Sequence, residues 1–148
     1  IDFYHRKDPF FEFCNFYASP IQIDHTIWPT SEHYFQAQKF IDQNLQKSIR
    51  QCQSPREAFI NARCHSKQLR QDWEASSDDQ IPPVKEQVMY NALKAKFTQH
   101  PHLLTLLLST GNALIREHTS HDAYWGDGGG GRGAGKNRLG ILLMQLRI

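Results

Sequence analysis

The spacing of apolar and polar positions predicts short strands near the start of the chain and helices after them. Residues 1–5 are rich in β-formers and read as a short strand. Residues 10–17 are aromatic and less regular, and read as strand and turn. Residues 21–24 alternate and predict a strand, with Asp24-His25-Thr26 turning into Ile27-Trp28. Helix signals begin at Pro29-Thr30-Ser31. Thr30 or Ser31 supplies an N-cap, and Glu32 falls in the first turn, where the helix dipole favours a carboxylate. Phe35, Ala37, Phe40, Ile41 and Leu45 continue that helix as its apolar face.

Ser54-Pro55-Arg56-Glu57 is a capping box with proline at the first helical position, and predicts a short helix through Phe59. Residues 74–80 are polar and read as an exposed loop, punctuated by Pro82-Pro83. Residues 84–97 form a helix with Val84, Val88, Leu93 and Phe97 inward. Pro101 opens another through Leu108, ended by Gly111. Residues 113–115 predict a strand, and Asn137 is placed to cap a last helix over residues 138–146. The sum is an α+β fold: a single compact, mainly helical domain over residues 1–148 with a few short strands. No repeat or linker divides it, and 148 residues are enough to bury a core without staples.

Composition narrows the function classes. No apolar run approaches the ~20 residues that span a bilayer, and residues 1–17 are too interrupted by polar side chains for a signal peptide. Seventeen basic against fifteen acidic residues leave +2, too weak a bias to predict nucleic-acid binding. Cys14, Cys52 and Cys64 cannot all pair, and no C-x-x-C is present. Free thiols packed as small apolar groups in a reducing cytoplasm are the simplest expectation. Eight histidines include the close pairs His100/His102 and His118/His121, but neither has a metal-ligand spacing, so no metal is expected.

Two segments carry candidate chemistry. Seven of the nine glycines lie between Gly126 and Gly135, in G-D-G-G-G-G-R-G-A-G. Gly126, Gly128 and Gly131 formally match a dinucleotide fingerprint, but a βαβ unit with a ribose-binding acid ~20 residues on is expected there, and seventeen residues follow Gly131. A P-loop is missed because Asn137 stands where Ser or Thr would hold magnesium. The physical content that remains is a run of backbone amides open to an anion, with Arg132 and Lys136 adding charge. A flexible surface loop explains the same composition. Just before it, Asp122 and Asp127 flank Tyr124 and Trp125: carboxylates for a cationic transition state, aromatic faces for a base or sugar. Turn aspartates beside a buried tryptophan are the plainer account. Glu32 is the third candidate, although the helix dipole alone accounts for a first-turn glutamate. His33, Tyr34 and Phe35 read as packing residues.

Taken together, the segments resemble the YbiA-like NADAR family. The resemblance is carried by W-P-T-S-E-H-Y-F-Q-A-Q-K-F at residues 28–40, D-A-Y-W-G-D-G-G at residues 122–129 and K-N-R-L-G-I-L-L-M-Q-L-R at residues 136–147. L-R-Q-D-W at residues 69–73 and the segment at residues 84–97 also fit, in the expected order. The chain departs from the family pattern in Phe13-Cys14-Asn15-Phe16, where serine is usual at the second position, in Ala62-Arg63, where Gly-Arg is usual, and in a longer segment between Trp73 and Val84.

The resemblance implies a cytoplasmic N-glycosidase that hydrolyses the C1–N bond between a phosphorylated ribose and a nitrogen heterocycle. The substrates it suggests are ribosylaminopyrimidine phosphates of the riboflavin pathway or ADP-ribosylated bases. It implies Glu32 as main catalytic carboxylate, assisted by Asp122 or Asp127, and Trp125 stacking on the substrate. It implies Asn15 on the ribose hydroxyls, and Arg63, Lys67 and Lys136 near the phosphate. Trp28, Tyr34, Gly126, Gly128 and Asn137 complete the expected binding set. No cofactor or metal is implied. The expected partner is the phosphorylated N-riboside or ADP-ribose-type substrate alone, with the protein a monomer, no membrane, and nucleic acid only if ADP-ribosylated bases are the substrate. The alternative is a non-catalytic ADP-ribose or nucleotide-binding module, which would keep the aromatics and glycines but need no carboxylate at C1.

Overall fold

Asp24 and His25 both adopt positive φ, the conformation a two-residue hairpin turn requires, and they join β2 (Ile21–Ile23) to β3 (Thr26–Trp28) in an antiparallel pair. The computed structural model describes residues 1–76, 78, 80–129 and 135–148, and the chain divides into two units: Ala18–Gln99, and Ile1–Tyr17 with His100–Ile148. The protein is α+β, mainly helical with a few short strands.

In the unit Ala18–Gln99, the hairpin leads into α1 (Ser31–Ala37), α2 (Gln43–Arg50), α3 (Pro55–Cys64) and α4 (Val84–Gln99). Thr30 is the cap of α1: its side chain accepts from His33 N at 3.1 Å. The long helix expected from Phe35 to Leu45 is instead two helices. Asp42 caps α2, its Oδ1 accepting from Asn44 N at 2.8 Å and Leu45 N at 3.1 Å, and this second start interrupts the first. Ser54 caps α3 through Glu57 N, and the helix runs five residues past the expected end to Cys64. α1 is enclosed by α2, α3, α4 and β3, which explains why all seven of its residues are buried. Trp73 joins this core, with its ring 5.3 Å from that of Phe35. α4 buries Glu86 and Lys96 beside Met89, Leu93 and Phe97.

In the other unit, β1 (Asp2–Phe3) pairs in parallel with β4 (Arg116–Glu117), and α5 (Pro101–Ser109) and α6 (Arg138–Arg147) pack with each other. Residues 10–17 hold no strand. Phe10 has φ 66°, and a single 3₁₀ turn, Phe11–Phe13, follows it. The strand expected at residues 113–115 lies just beyond them. Arg116 makes a two-pronged ion pair with Asp2 (2.8 and 3.0 Å) across the register, while Ile115 is buried as core. Among the described residues, no helix is long and apolar enough to cross a membrane.

Candidate active site

Glu32 is the second residue of α1 and only 7% exposed. Gln36, one turn on, donates from Nε2 to Glu32 Oε1 at 3.3 Å. Two residues past the helix, Lys39 lies within electrostatic reach of Glu32 and Glu74. Burial draws the Lys39 ammonium below the usual lysine range, and the two carboxylates partly restore it. Its Nζ sits 5.6 Å from the centre of the Phe35 ring. The carboxylate is therefore buried, held by an amide donor and within electrostatic reach of a cation. A fixed negative charge of this kind is worth far more than one in water.

His33, next to Glu32, has a structural task. Its Nε2 donates to the Cys52 carbonyl at 3.0 Å, which leaves Nδ1 to accept from the Thr30 hydroxyl at 2.8 Å. That hydroxyl oxygen in turn accepts from His33 N. Burial pulls the His33 pKa below the ordinary value, against the opposing effects of the Cys52 carbonyl and Glu57, so the ring is neutral. The imidazole ties α1 to the turn between α2 and α3. Tyr34 packs edge-on against Trp28 with ring centres 5.5 Å apart, and burial and Asp24 both raise its pKa. Arg63, at the end of α3, and Lys67, in the 3₁₀ turn Ser66–Gln68, are exposed.

In the other unit, the two aspartates organise residues 122–129. Asp122 Oδ1 accepts from both Tyr124 N and Trp125 N at 2.9 Å, a side-chain turn that sets the two aromatics edge to face, 4.9 Å apart. Lys136 Nζ stands 5.4 Å from the Tyr124 ring centre. Asp127 is 4% exposed and accepts at both oxygens. Thr119 N (3.2 Å) and Gly129 N (2.8 Å) donate to Oδ1, and His118 Nδ1 donates to Oδ2 at 2.7 Å. Burial pushes the Asp127 carboxyl up, but these hydrogen bonds together outweigh it and leave it below the usual range. Asn15 is buried in the turn after the 3₁₀ segment.

Among the described residues, the amides of the glycine segment are largely engaged within the fold. Every described amide from Asp127 to Leu139 already donates within the unit. Asp127 N goes to Glu117 O, Gly128 N to Asp122 O, and Gly135 N to Asp127 O. Lys136, Asn137, Arg138 and Leu139 N–H groups go to the carbonyls of Ala123, Gly126, Tyr124 and Trp125. Close packing explains the glycines at the ends. A Cβ on Gly126 would meet Asp122 O and Thr119 Cγ2 at 2.7 Å, and Gly128 and Gly129 have φ of 76° and 80°. Gly130, Gly131, Arg132 and Gly133 lie outside the described residues. Asn137 does not cap α6 with its side chain. Its backbone is left-handed, and its amide bridges Glu117 N (3.1 Å) and Ile115 O (2.9 Å), fastening the start of α6 to the edge of β4.

Glu32, Trp28 and Tyr34 thus belong to one unit with Arg63 and Lys67. Asp122, Trp125, Gly126, Asp127, Gly128, Lys136 and Asn137 belong to the other, with Asn15. Lys39, Gln36 and His118 join these residues without having stood out as site residues in the sequence. The first two follow Glu32 by seven and four residues, the spacing of one helix face, and that periodicity could have found them. His118 carried no such signal. Among the described residues, no three His, Cys, Asp or Glu side chains gather where they could hold a metal ion.

A family model described as the NADAR domain matches residues 2–148. The chain is 54% identical over 147 residues to N-glycosidase YbiA of Escherichia coli (strain K12), covering 99% of this chain and 86% of that protein. It is 39% identical over 150 residues to an N-glycosidase of Nostoc punctiforme, covering 99% and 90%. Over 162 residues it is 40% identical to the chloroplastic riboflavin biosynthesis protein PYRR of Zea mays, of which the match takes in 24%. The NMR structure of E. coli YbiA matches with a TM-score of 0.85, covering 99% of this chain and 82% of that one. The chain belongs to the NADAR domain family. Its reaction class follows from the same relationship: it is a hydrolase acting on N-glycosyl bonds. That result displaces the non-catalytic binding module as an alternative.

Proposed function

We propose that the protein hydrolyses the C1–N bond between a phosphorylated ribose and a nitrogen heterocycle, and that residues 1–148 act as one domain in doing so. The observation that carries the proposal is Glu32, a buried carboxylate held by Gln36 and within electrostatic reach of Lys39. Breaking a ribosyl C–N bond builds positive charge on the sugar. A fixed, desolvated carboxylate lowers that barrier, and it can take a proton from the attacking water. Lys39 and the first turn of α1 both place positive potential near Glu32.

The assignment of the leaving group rests on relatives. PYRR of Zea mays and a Vibrio vulnificus protein 39% identical over 134 residues are both named riboflavin biosynthesis proteins. A ribosylaminopyrimidine phosphate is accordingly the first substrate to try, and an ADP-ribosylated base the second. Trp125 is proposed to stack on the heterocycle, with Tyr124 setting its orientation, and Lys136 to meet the phosphate from an exposed position. Asp122 assists through the turn it builds under Trp125. Asn15 is assigned the ribose hydroxyls, and Arg63 and Lys67 supply further positive charge. Incubation with phosphoribosylated aminopyrimidine should release ribose 5-phosphate and free heterocycle, resolved by liquid chromatography and mass spectrometry. Intact substrate after prolonged incubation with this compound and with ADP-ribosylated guanine would remove the proposal.

A further inference from the structure

Asp127 was expected to assist catalysis as a carboxylate, yet every polar group it owns is already engaged. Its N–H donates to Glu117 O at 2.9 Å, and its carbonyl accepts from Gly135 N at 3.0 Å. Its two carboxylate oxygens take three donors between them, from Thr119 N, Gly129 N and His118 Nδ1. An ionised carboxylate has about four acceptor sites, so three are filled. A carboxylate this fully bonded is a weak base, and its charge is compensated before any substrate arrives. It is well placed, however, to fix backbone on either side of Trp125. Thr119 lies on the segment leaving β4, and Gly129 lies beyond the Asp122 turn.

His118 completes the arrangement from outside. Its side chain is 44% exposed, against 6% for that of Asp127. A carboxylate oxygen only accepts, so Nδ1 carries the proton in either charge state of the ring. The imidazole therefore serves Oδ2, while the two backbone amides serve Oδ1.

We propose that His118 and Asp127 form a clasp that positions the Asp122–Trp125 turn for substrate, making both positioning residues rather than catalytic ones. The inference rests on the assignment of Trp125 to the substrate. His118→Ala leaves Oδ2 without its donor. His118→Gln offers a side-chain N–H to the same oxygen. Charge-assisted hydrogen bonds are the strong class, but the exposure of His118 dilutes this one. The expected result for H118A is a KM raised about three- to tenfold with kcat within about twofold, and recovery of most of the loss in H118Q.

Amide spectra of uniformly ¹⁵N-labelled protein give a second readout that needs no turnover. In H118A the Thr119 and Gly129 amides and the Trp125 indole should shift, while the His33 amide in the other unit stays in place. H118Q should return them toward wild type. Unmoved Thr119 and Gly129 amides would overturn the clasp. So would a kcat loss of a hundredfold at unchanged KM in H118A or Asp127→Asn, because that places the pair at the reacting atoms. Failure of every riboside to react would instead count against the proposed substrate, and the amide spectra would still decide the clasp.

Discussion

Glu32→Gln separates the chemical role of this side chain from its structural one. The substitution keeps the shape and removes one charge from a residue that is 7% exposed. In the native protein Gln36 Nε2 donates to Glu32 Oε1 at 3.3 Å, and Gln36 Oε1 is buried without a hydrogen-bond partner among the described residues. A glutamine at position 32 can accept the first of these bonds and hand its own N–H to the second oxygen. The two amides then pair head to head. Such a bond contributes ~1 kcal/mol, offsetting the lost attraction to the helix terminus and Lys39, so stability should change by no more than ~1 kcal/mol. The transition state fares differently. The charge growing on the sugar loses the one that opposes it. A loss of ~10²-fold or more in kcat is expected, ~2.7 kcal/mol of barrier. Lys39 responds as well: with Glu32 neutral, burial is less opposed and its pKa falls further. Thermal melts paired with single-turnover release of ribose 5-phosphate measure both quantities. A variant that melts early but turns over within threefold of wild type per folded molecule would reduce Glu32 to a first-turn residue with no part in the chemistry.

Trp73→Ala should cost ~3–5 kcal/mol of stability, because the ring is buried against Phe35, whereas Trp125→Ala should leave the melting temperature nearly unchanged and weaken substrate binding about ten- to a hundredfold. Equal affinities for the two variants would take Trp125 out of the site. A bare riboside should show a kcat/KM more than tenfold below its 5′-phosphate, and Lys136→Ala should hurt only the phosphorylated compound; equal values for the two substrates in wild type would show that no anion is recognised. EDTA-treated protein should keep its rate, and a large loss restored by zinc or magnesium would contradict this expectation. The two bonded histidines should leave opposite pH signatures in thermal melts. His33 has a lowered pKa, so its contribution is present above the ordinary value of about 6.5 and erodes as pH falls through it. His118 has a raised pKa, so its contribution is present below about 6.5 and is lost as pH rises through the higher folded value. His33→Gln should flatten the first slope and His118→Gln the second; unchanged slopes would show that neither ring titrates differently in the folded protein.

Local chemistry was legible wherever one or two side chains decide the backbone. Thr30, Ser54 and the Asp24-His25 turn could all be read from residue type and offset, and each does what its type favours. Helix length was harder. The apolar positions from Phe35 to Leu45 keep helical spacing across a break, because both helices face one core, and only Asp42, a good N-cap in mid-pattern, marks the restart. Ile41, counted in the expected apolar face, is exposed at the junction. Partners distant in sequence were not legible. Nothing near Arg116 says that Asp2 will set its register, and nothing near Asn137 says that Ile115 and Glu117 will claim its amide. The glycines show the limit of composition. Seven in ten residues suggested amides open to an anion, but the described ones are spent on the turn itself or are needed for close packing. The candidate site was legible chiefly as motifs: Glu32 and Trp125 stood out in the sequence, whereas His118 and Lys39 emerge only from what surrounds them.

If this chain cuts a phosphoribosyl C1–N bond with Glu32, a phosphoribosylated aminopyrimidine hydrolysed in H₂¹⁸O will show it by mass spectrometry, run side by side with wild type and Glu32→Gln. The expected result is ¹⁸O in the ribose 5-phosphate, none in the heterocycle beyond a no-enzyme control, and at least a hundredfold slower appearance of both products in the variant. Label in the heterocycle above that control, or equal rates from the two proteins, would rule out this cleavage by Glu32.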